Sequence, residues 1–354
     1  MSGSRKHGSK GRKSPVFKLL VVSAVLCATA AAVYVLGELA ERKVNKELND
    51  SQQADSSAEN IVVDENERST IKVNGKTYAL KENIETILLM GVDNDGTVES
   101  TETYRNDDVA DFLLVVVLDH SDGSYKSLAI NRDTMAKVPV LGVTGTLLNW
   151  MDGQISLAHT YGSGTEDSCR NQVRAVSELL YQQNIAHYAS FDIPAIGIAN
   201  DAVGGVTVTI EDDFGEERPD MAVGTTVKLN AEQAELFVRG RATVADKTNV
   251  NRMSRQKTYI KAWRELALKK LDSDSNFFFD LLGMTSDYMV SDMTINQLSD
   301  FANQVAAYED KGTFDIAGTS QKGEKYMEFI YDESALQQQV LDLWYVELPD
   351  DNAE

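Results

Sequence analysis

A chain of 354 residues with 42% apolar and 25% charged side chains can bury a sizeable core and has a globular composition, which excludes wholesale disorder. Its formal net charge is −21; residues 1–18 hold six Lys/Arg and no Asp/Glu, so the remainder stands at −27, a poor surface for nonspecific nucleic-acid binding, which rests on cations neutralising phosphates. The two cysteines, Cys27 and Cys169, offer no disulfide framework, redox pair or cysteine metal site, because the first lies in an apolar run.

After the basic tail, Leu19–Gly37 is uncharged for 19 residues, close to the roughly 20 that cross a bilayer core as a helix. Basic residues precede it, and Glu38 and Glu41 follow, so the positive-inside rule puts the N-terminus in the cytoplasm and the bulk of the chain outside a single-pass membrane anchor. Ala28-Thr29-Ala30 also fits a signal-peptide cleavage site, but the apolar run continues beyond it, which favours an uncleaved anchor. Residues 38–70 are polar and read as an extracellular tether. Residues 71–350 read as one extracellular domain.

Asn74-Gly75 sits between two β-prone runs and predicts a hairpin over Ile71–Leu80. Thr86–Val92, Phe112–Leu118 and Tyr125–Ile130 are continuously apolar, as strands covered on both faces are. Helices are expected at Ser168–Gln183, Pro194–Ala202, Ala231–Arg239, Asn251–Leu271, Ile295–Tyr308 and Ser334–Trp344, and further strands at Tyr188–Asp192, Val206–Ile210 and Glu328–Tyr331. The fold class is therefore α/β, a mixed central sheet flanked by helices on both faces, preceded by one transmembrane helix. The region from Asp272 to Asp350 is expected to complete the same sheet.

The four histidines lack paired metal spacing, and there is no GxSxG elbow or Walker loop, which argues against a zinc hydrolase, a serine hydrolase and a P-loop NTPase. Arginine and carboxylate remain. Asp93 and Asp95 follow the first apolar strand, while Asp107, Asp108 and Asp111 precede the next. If those strands are neighbours, the carboxylates meet at one sheet edge, where they suit magnesium shared with substrate phosphates; aspartates between strands are equally ordinary turn formers. Arg132 and Asp133 follow a strand end, where open α/β sheets bind ligands, although a surface pair would look the same.

The stretch FVRGRATVADKTNVNRMSRQ, Phe237–Gln256, concentrates Arg239, Arg241, Arg252 and Arg255 in an acidic chain. Asn230 and Gln233 form a capping box for a helix that Gly240 ends; Arg239 and Arg241 can converge only if the backbone leaves the helix there. Arg252 and Arg255, at i and i+3, share a face of the next helix. Arginine throughout suits bidentate phosphate recognition, while solvated helix-end cations are the plainer reading.

In order and spacing, ILLMGVD, ADFLLVVVLD, INRDTM, HTYGSG, DAVGGVTVTI, LNAEQAELFVRGR and NRMSRQ resemble the LytR-CpsA-Psr (LCP) family of cell-wall glycopolymer transferases over about residues 86–263. The resemblance implies transfer of a glycopolymer, a teichoic acid or capsular polysaccharide, from an undecaprenyl-pyrophosphate carrier to peptidoglycan at the outer face of the membrane. It further implies that Asp93 and Asp111 hold magnesium or manganese on the pyrophosphate, and that Arg132, Arg239 and Arg241 bind its oxygens. Arg252 and Arg255 would belong to the same pocket or its support, and Asp133 would orient Arg132 or assist proton transfer. The family often has an arginine two residues before the second aspartate, where this chain has Val109; Arg105, from a longer loop, is the candidate replacement. A pyrophosphatase releasing the polymer to water, and a non-catalytic binder or regulator, are the rival readings.

Overall fold

The computed structural model describes residues 70–215, 218–240 and 249–349. The expected tail, spanning helix and most of the tether lie outside them, as does Arg241. Among the described residues, no helix is long and apolar enough to cross a membrane.

The chain begins with the expected hairpin: β1 (Thr70–Val73) pairs antiparallel with β2 (Lys76–Leu80). Asn74 and Gly75 both take positive φ, 53° and 81°, as the tight two-residue hairpin turn requires. Then follow β3 (Ile84–Val92), β4 (Ala110–Asp119), β5 (Ser124–Ile130) and a second hairpin, β6 (Met135–Leu141) with β7 (Leu147–Gln154). Helix α1 (Glu166–Leu179) leads to β8 (His187–Asp192), α2 (Pro194–Ala202), β9 (Thr207–Thr209) and β10 (Thr226–Lys228). Three helices come next: α3 (Ala231–Arg239), α4 (Asn249–Leu271) and α5 (Phe277–Met284). The chain continues through β11 (Met289–Ser291), α6 (Ile295–Ala307), β12 (Glu309–Asp315), the hairpin β13 (Gly318–Lys322) and β14 (Met327–Tyr331), α7 (Glu333–Trp344) and β15 (Tyr345–Glu347).

The central sheet has six strands in the order β11-β8-β3-β4-β5-β12. β3 with β8 and β5 with β12 are parallel; the other pairs are antiparallel. Alternation along each strand feeds two cores. Leu88, Met90 and Val92 of β3 and Leu113, Val115 and Val117 of β4 pack on one face with α1, α7 and the β6–β7 hairpin. Ile87, Leu114, Val116 and Leu118 pack on the other with α5 and α6. Both alternating sets are apolar, which is why these strands read as unbroken hydrophobic runs. A third cluster joins α2, α3, α4 and the β9–β10 ribbon. The fold is thus the expected mixed sheet between helical layers.

Two expected strands lie elsewhere. The strand around Val208 pairs only with β10, and β14 pairs with β13, so neither joins the central sheet. The region after Asp272 does complete that sheet, through β11 and β12 at its edges. β12, EDKGTFD, is polar with a register shift at Gly312, a sequence suited to an edge strand that must not pair further.

Candidate functional site

The site lies where β3 ends, β4 begins and β5 ends. Gly91 pairs with Phe112 but Val92 pairs with Ala110, so Asp111 is the extra residue of a β-bulge. A bulge re-aims a side chain, and here it aims one at the sheet edge. On the other side of β4 the register Leu113↔Ile130, carried two residues beyond the paired strands, sets Arg132 opposite Asp111. Arg132 Nη1 donates to Asp111 Oδ1. Arg252, whose side chain is only 2% exposed on the first turn of α4, donates from Nη1 to Asp111 Oδ2 at 2.8 Å and from Nη2 to the Asp111 carbonyl at 3.3 Å.

Asp93 follows β3, its amide bonded to the Val109 carbonyl at 3.0 Å. Arg239, in the last turn of α3, donates from Nη2 to Asp93 Oδ1 at 2.5 Å and from Nη1 to Glu235 at 2.6 Å. The Asn230–Gln233 capping box starts that helix, and the chain leaves it at Gly240. A cavity of about 330 Å³ is lined by Asp93, Asp111, Glu232, Glu235, Arg218 and Arg239 with Leu236 and Gly240.

Asp133 is 3.5 Å from Arg132 Nε and accepts from Gln154 Nε2 at 3.0 Å, so it steadies that guanidinium. The buried Asn131 side chain accepts from the Asp133 amide at 3.0 Å and from Asn249 Nδ2 at 2.8 Å, tying the β5 end to the start of α4.

Two expected site arginines lie elsewhere. Arg255 is on the same inward face as Arg252 but caps the end of α3: Nε donates to Phe237 O at 2.8 Å, and the other nitrogens to Gly240 O and Asp212. Gln256 adds a bond to Val238 O at 3.2 Å. Orphan carbonyls at a helix end attract such cations. Arg255 therefore fixes the turn that carries Arg239 and does not reach the cavity. Arg105 sits 3.9 Å over the Tyr161 ring and pairs with neither Asp93 nor Asp111; Arg132 and Arg252 do not line the cavity themselves but adjoin it through Asp111.

In the sequence Arg218 is not singled out, Asp192 is only a strand end, Asp108 only one of the clustered aspartates and His159 only part of HTYGSG. Arg218, which lines the cavity, forks onto Asp220 at 3.0 and 3.1 Å. Asp192 ends β8 beside Val92, accepts from Asn94 Nδ2 at 2.8 Å, and is pushed up to about 7 by burial. Burial, then the charges of Asp107 and Asp93, raise Asp108 above the usual carboxylate range. His159, buried beside Cys169, is held down at about 4 by burial and bonds the Asp108 carbonyl through Nδ1 at 2.8 Å.

The donor set fits a hard divalent cation. Four carboxylates line the cavity, and hard carboxylate oxygens suit a divalent cation once phosphate oxygens draw their arginine partners away. Among the described residues no three His/Cys/Asp/Glu side chains are grouped so as to hold a metal ion by themselves.

Comparison with known proteins places the chain among cell-wall proteins of the same fold. The polyisoprenyl-teichoic acid–peptidoglycan teichoic acid transferase TagU of Enterococcus faecalis is 24% identical over 242 residues, 68% of this chain and 70% of that protein. The structure of TagT bound to LI-WTA superposes with a TM-score of 0.55 at 17% identity, covering 74% of this chain and 90% of that one. B. subtilis TagV gives 0.53 at 21% identity, covering 74% and 98%. These two structures share the fold. A family model matches residues 44–343, a wider span than the motifs mark, and the chain belongs to the LytR_cpsA_psr family.

Proposed function

We propose that this chain is a membrane-anchored transferase that moves a glycopolymer, such as a teichoic acid or capsular polysaccharide, from an undecaprenyl-pyrophosphate carrier to a peptidoglycan sugar hydroxyl. The carrying observation is the meeting of Asp93, Asp111, Arg132, Arg239 and Arg252 at one sheet edge. Family membership and the likeness to TagU support the transferase class. The uncharged run Leu19–Gly37 supports the anchor, which would put the domain outside the membrane.

In this reading an acceptor hydroxyl attacks the polymer-side phosphorus, the bond to the bridging oxygen breaks, and lipid monophosphate leaves, taking up the hydroxyl proton directly or through solvent. Such chemistry needs positioning and charge stabilisation more than a nucleophilic side chain. Arg132 and Arg239 take the phosphate oxygens, releasing their carboxylates; Arg252 keeps Asp111 oriented, and Asp133 fixes Arg132. Asp93 and Asp111 would hold Mg²⁺ or Mn²⁺, which supplies charge neutralisation at the pyrophosphate.

The test is incubation of the full-length protein with a synthetic polyprenyl-pyrophosphate glycan, peptidoglycan and magnesium. The expected products are glycan joined to peptidoglycan by a phosphodiester, and lipid phosphate. Glycan phosphate released whether or not acceptor is present would make the protein a pyrophosphatase. Tight lipid binding without turnover would make it a regulator. Undiminished transfer by both Arg132→Ala and Arg239→Ala would sink the site assignment.

A further inference from the structure

The loop 94–109 between Asp93 and the bulge is long, and it is firmly built. Asn106, buried, donates from Nδ2 to His159 O, Gly162 O and Ser168 Oγ at 3.1, 2.8 and 3.1 Å, and its Oδ1 accepts from the Asp108 amide at 2.8 Å. The Thr101 amide bonds Ser163 O at 2.8 Å, and the Val98 amide bonds Asp287 O at 2.9 Å. Tyr104 lies against Gly145 at the tip of the β6–β7 hairpin, so close that a Cβ there would meet the ring at 2.6 Å. Gly162 has no room for a side chain either, since its Cβ would stand 2.6 Å from Ser168 Cα.

This loop and the start of α1 border a second, open cavity of about 390 Å³. Its walls carry hydroxyls (Thr101, Thr103, Ser163), the Tyr104 phenol, and charged groups that include Glu102 and Arg170. Among its lining residues three acids, Glu102, Glu166 and Asp167, face one base, Arg170. That balance repels a polyanionic donor and its pyrophosphate, and it suits a ligand rich in hydroxyl and amide groups without phosphate. The cavity also abuts the first site. Gly164 lies between the lining residues Ser163 and Thr165, a Cβ on it would stand 3.4 Å from Asp108 Oδ2, and the carbonyl of the next residue, Val109, accepts from the Asp93 amide at 3.0 Å.

We infer that this cavity is a subsite for the acceptor, a glycan of N-acetylated amino sugars, held between Tyr104, Glu102 and Arg170 with its reacting hydroxyl directed past Asp108 toward the cavity at Asp93 and Asp111. The inference rests on the transferase reading for its purpose, and on the cavity's own chemistry for its ligand. Acceptor and donor then enter through cavities of different charge, which keeps the polyanionic donor out of the acceptor's place.

The experiment measures binding of an N-acetylglucosamine tetrasaccharide, which carries no charge, to the full-length protein by calorimetry, and the acceptor KM in the transfer assay. Expected is equal tetrasaccharide affinity in wild type and Arg132→Ala, and affinity at least tenfold weaker in Tyr104→Ala and in the exposed-site variant Glu102→Ala. The acceptor KM should rise by the same factor in those variants while kcat at saturating acceptor changes less than twofold. Thermal denaturation of each variant identifies any that has unfolded; Glu102 is exposed and touches no core cluster, so its variant decides the case if Tyr104→Ala does not fold. Wild type that does not bind the tetrasaccharide, or Glu102→Ala that binds and transfers as wild type does, overturns the subsite. Wild type that binds tetrasaccharide but turns over no donor upholds the subsite and sinks the transferase reading.

Discussion

Arg132 stands opposite Asp111 where the β4–β5 register runs beyond the paired strands, and the two side chains form an ion pair while Arg252 holds the other carboxylate oxygen from beneath. The two arginines differ in burial, 11% against 2% of the side chain exposed, and this separates their roles. Arg132→Ala should lower kcat on the order of 10²–10³-fold, the usual effect of losing one preorganised oxyanion donor, with little change in Tm. Arg252→Ala should cost about 3–5 kcal/mol of stability, because a partner of a buried ion pair is lost. Denaturant titration alongside transfer rates checks both; equal stability loss in the two variants would refute the division.

Arg255 acts on the site through α3. Its guanidinium reaches two backbone carbonyls and Asp212 at once, a fork that lysine cannot reproduce. Arg255→Lys is expected to lose roughly 2 kcal/mol, in line with hydrogen bonds to a charged group, and to lower kcat several-fold with donor KM raised, since Arg239 loses its fixed turn. Rescue of stability without rescue of activity by an unrelated stabilising substitution would show that positioning, and not folding alone, is affected.

Asp93→Asn removes one of the two carboxylates proposed for the cation. The concentration of magnesium giving half-maximal turnover should rise tenfold or more, and manganese binding followed by electron paramagnetic resonance should weaken in parallel, giving a readout independent of turnover. Chelation should abolish transfer by wild type. A metal dependence identical in wild type and Asp93→Asn would remove this residue from the proposed donor set.

Two buried groups give stability a pH dependence of opposite signs. His159 is lowered to about 4 from its ordinary 6.5, so the unfolded chain binds the extra proton between those values; its contribution is complete above pH 6.5 and falls by roughly 3 kcal/mol as pH drops to 4. Asp192 is raised from 3.8 to about 7, so the native state binds the extra proton and stability is lost as pH rises through that window. Asp192→Asn, which keeps an acceptor for Asn94, should therefore raise Tm by several degrees at pH 8, have almost no effect at pH 4, and leave the steeper acid loss due to His159 exposed. A Tm gain independent of pH would contradict the burial of an ionisable Asp192.

Much of the central architecture was legible because its signals are local. Pro194–Ala202 and Ala231–Arg239 begin and end at the residues expected, the first at a proline and the second at a capping box and a glycine. The core strands were visible through apolar runs, though each is longer in the structure. What escaped was context. Phe277–Met284 is too short and too uniformly apolar to show a helical period, and Met135–Leu141 carries Pro139, which argues against a strand until it is seen in a two-stranded ribbon. β12 is a strand by position in the sheet and not by composition. At the site, arginine spacing placed Arg252 and Arg255 on one face, yet a single helical turn separates the residue that reaches Asp111 from the one that caps α3. Arg105 was assigned from a gap in the motif, and the structure gives it to Tyr161.

The β4 bulge and the end of β3 also form two fixed abutments for the arch 94–109. Its feet are pinned by the Asp93–Val109 hydrogen bond and the buried Asn106, independently of its crown. Residues can therefore be gained, lost or exchanged at its crown without moving the carboxylates at its feet. A scaffold of this form allows the selection of one reactant to drift while the reaction centre stays put, which makes the crown the segment to exchange in order to redirect this protein to a different partner.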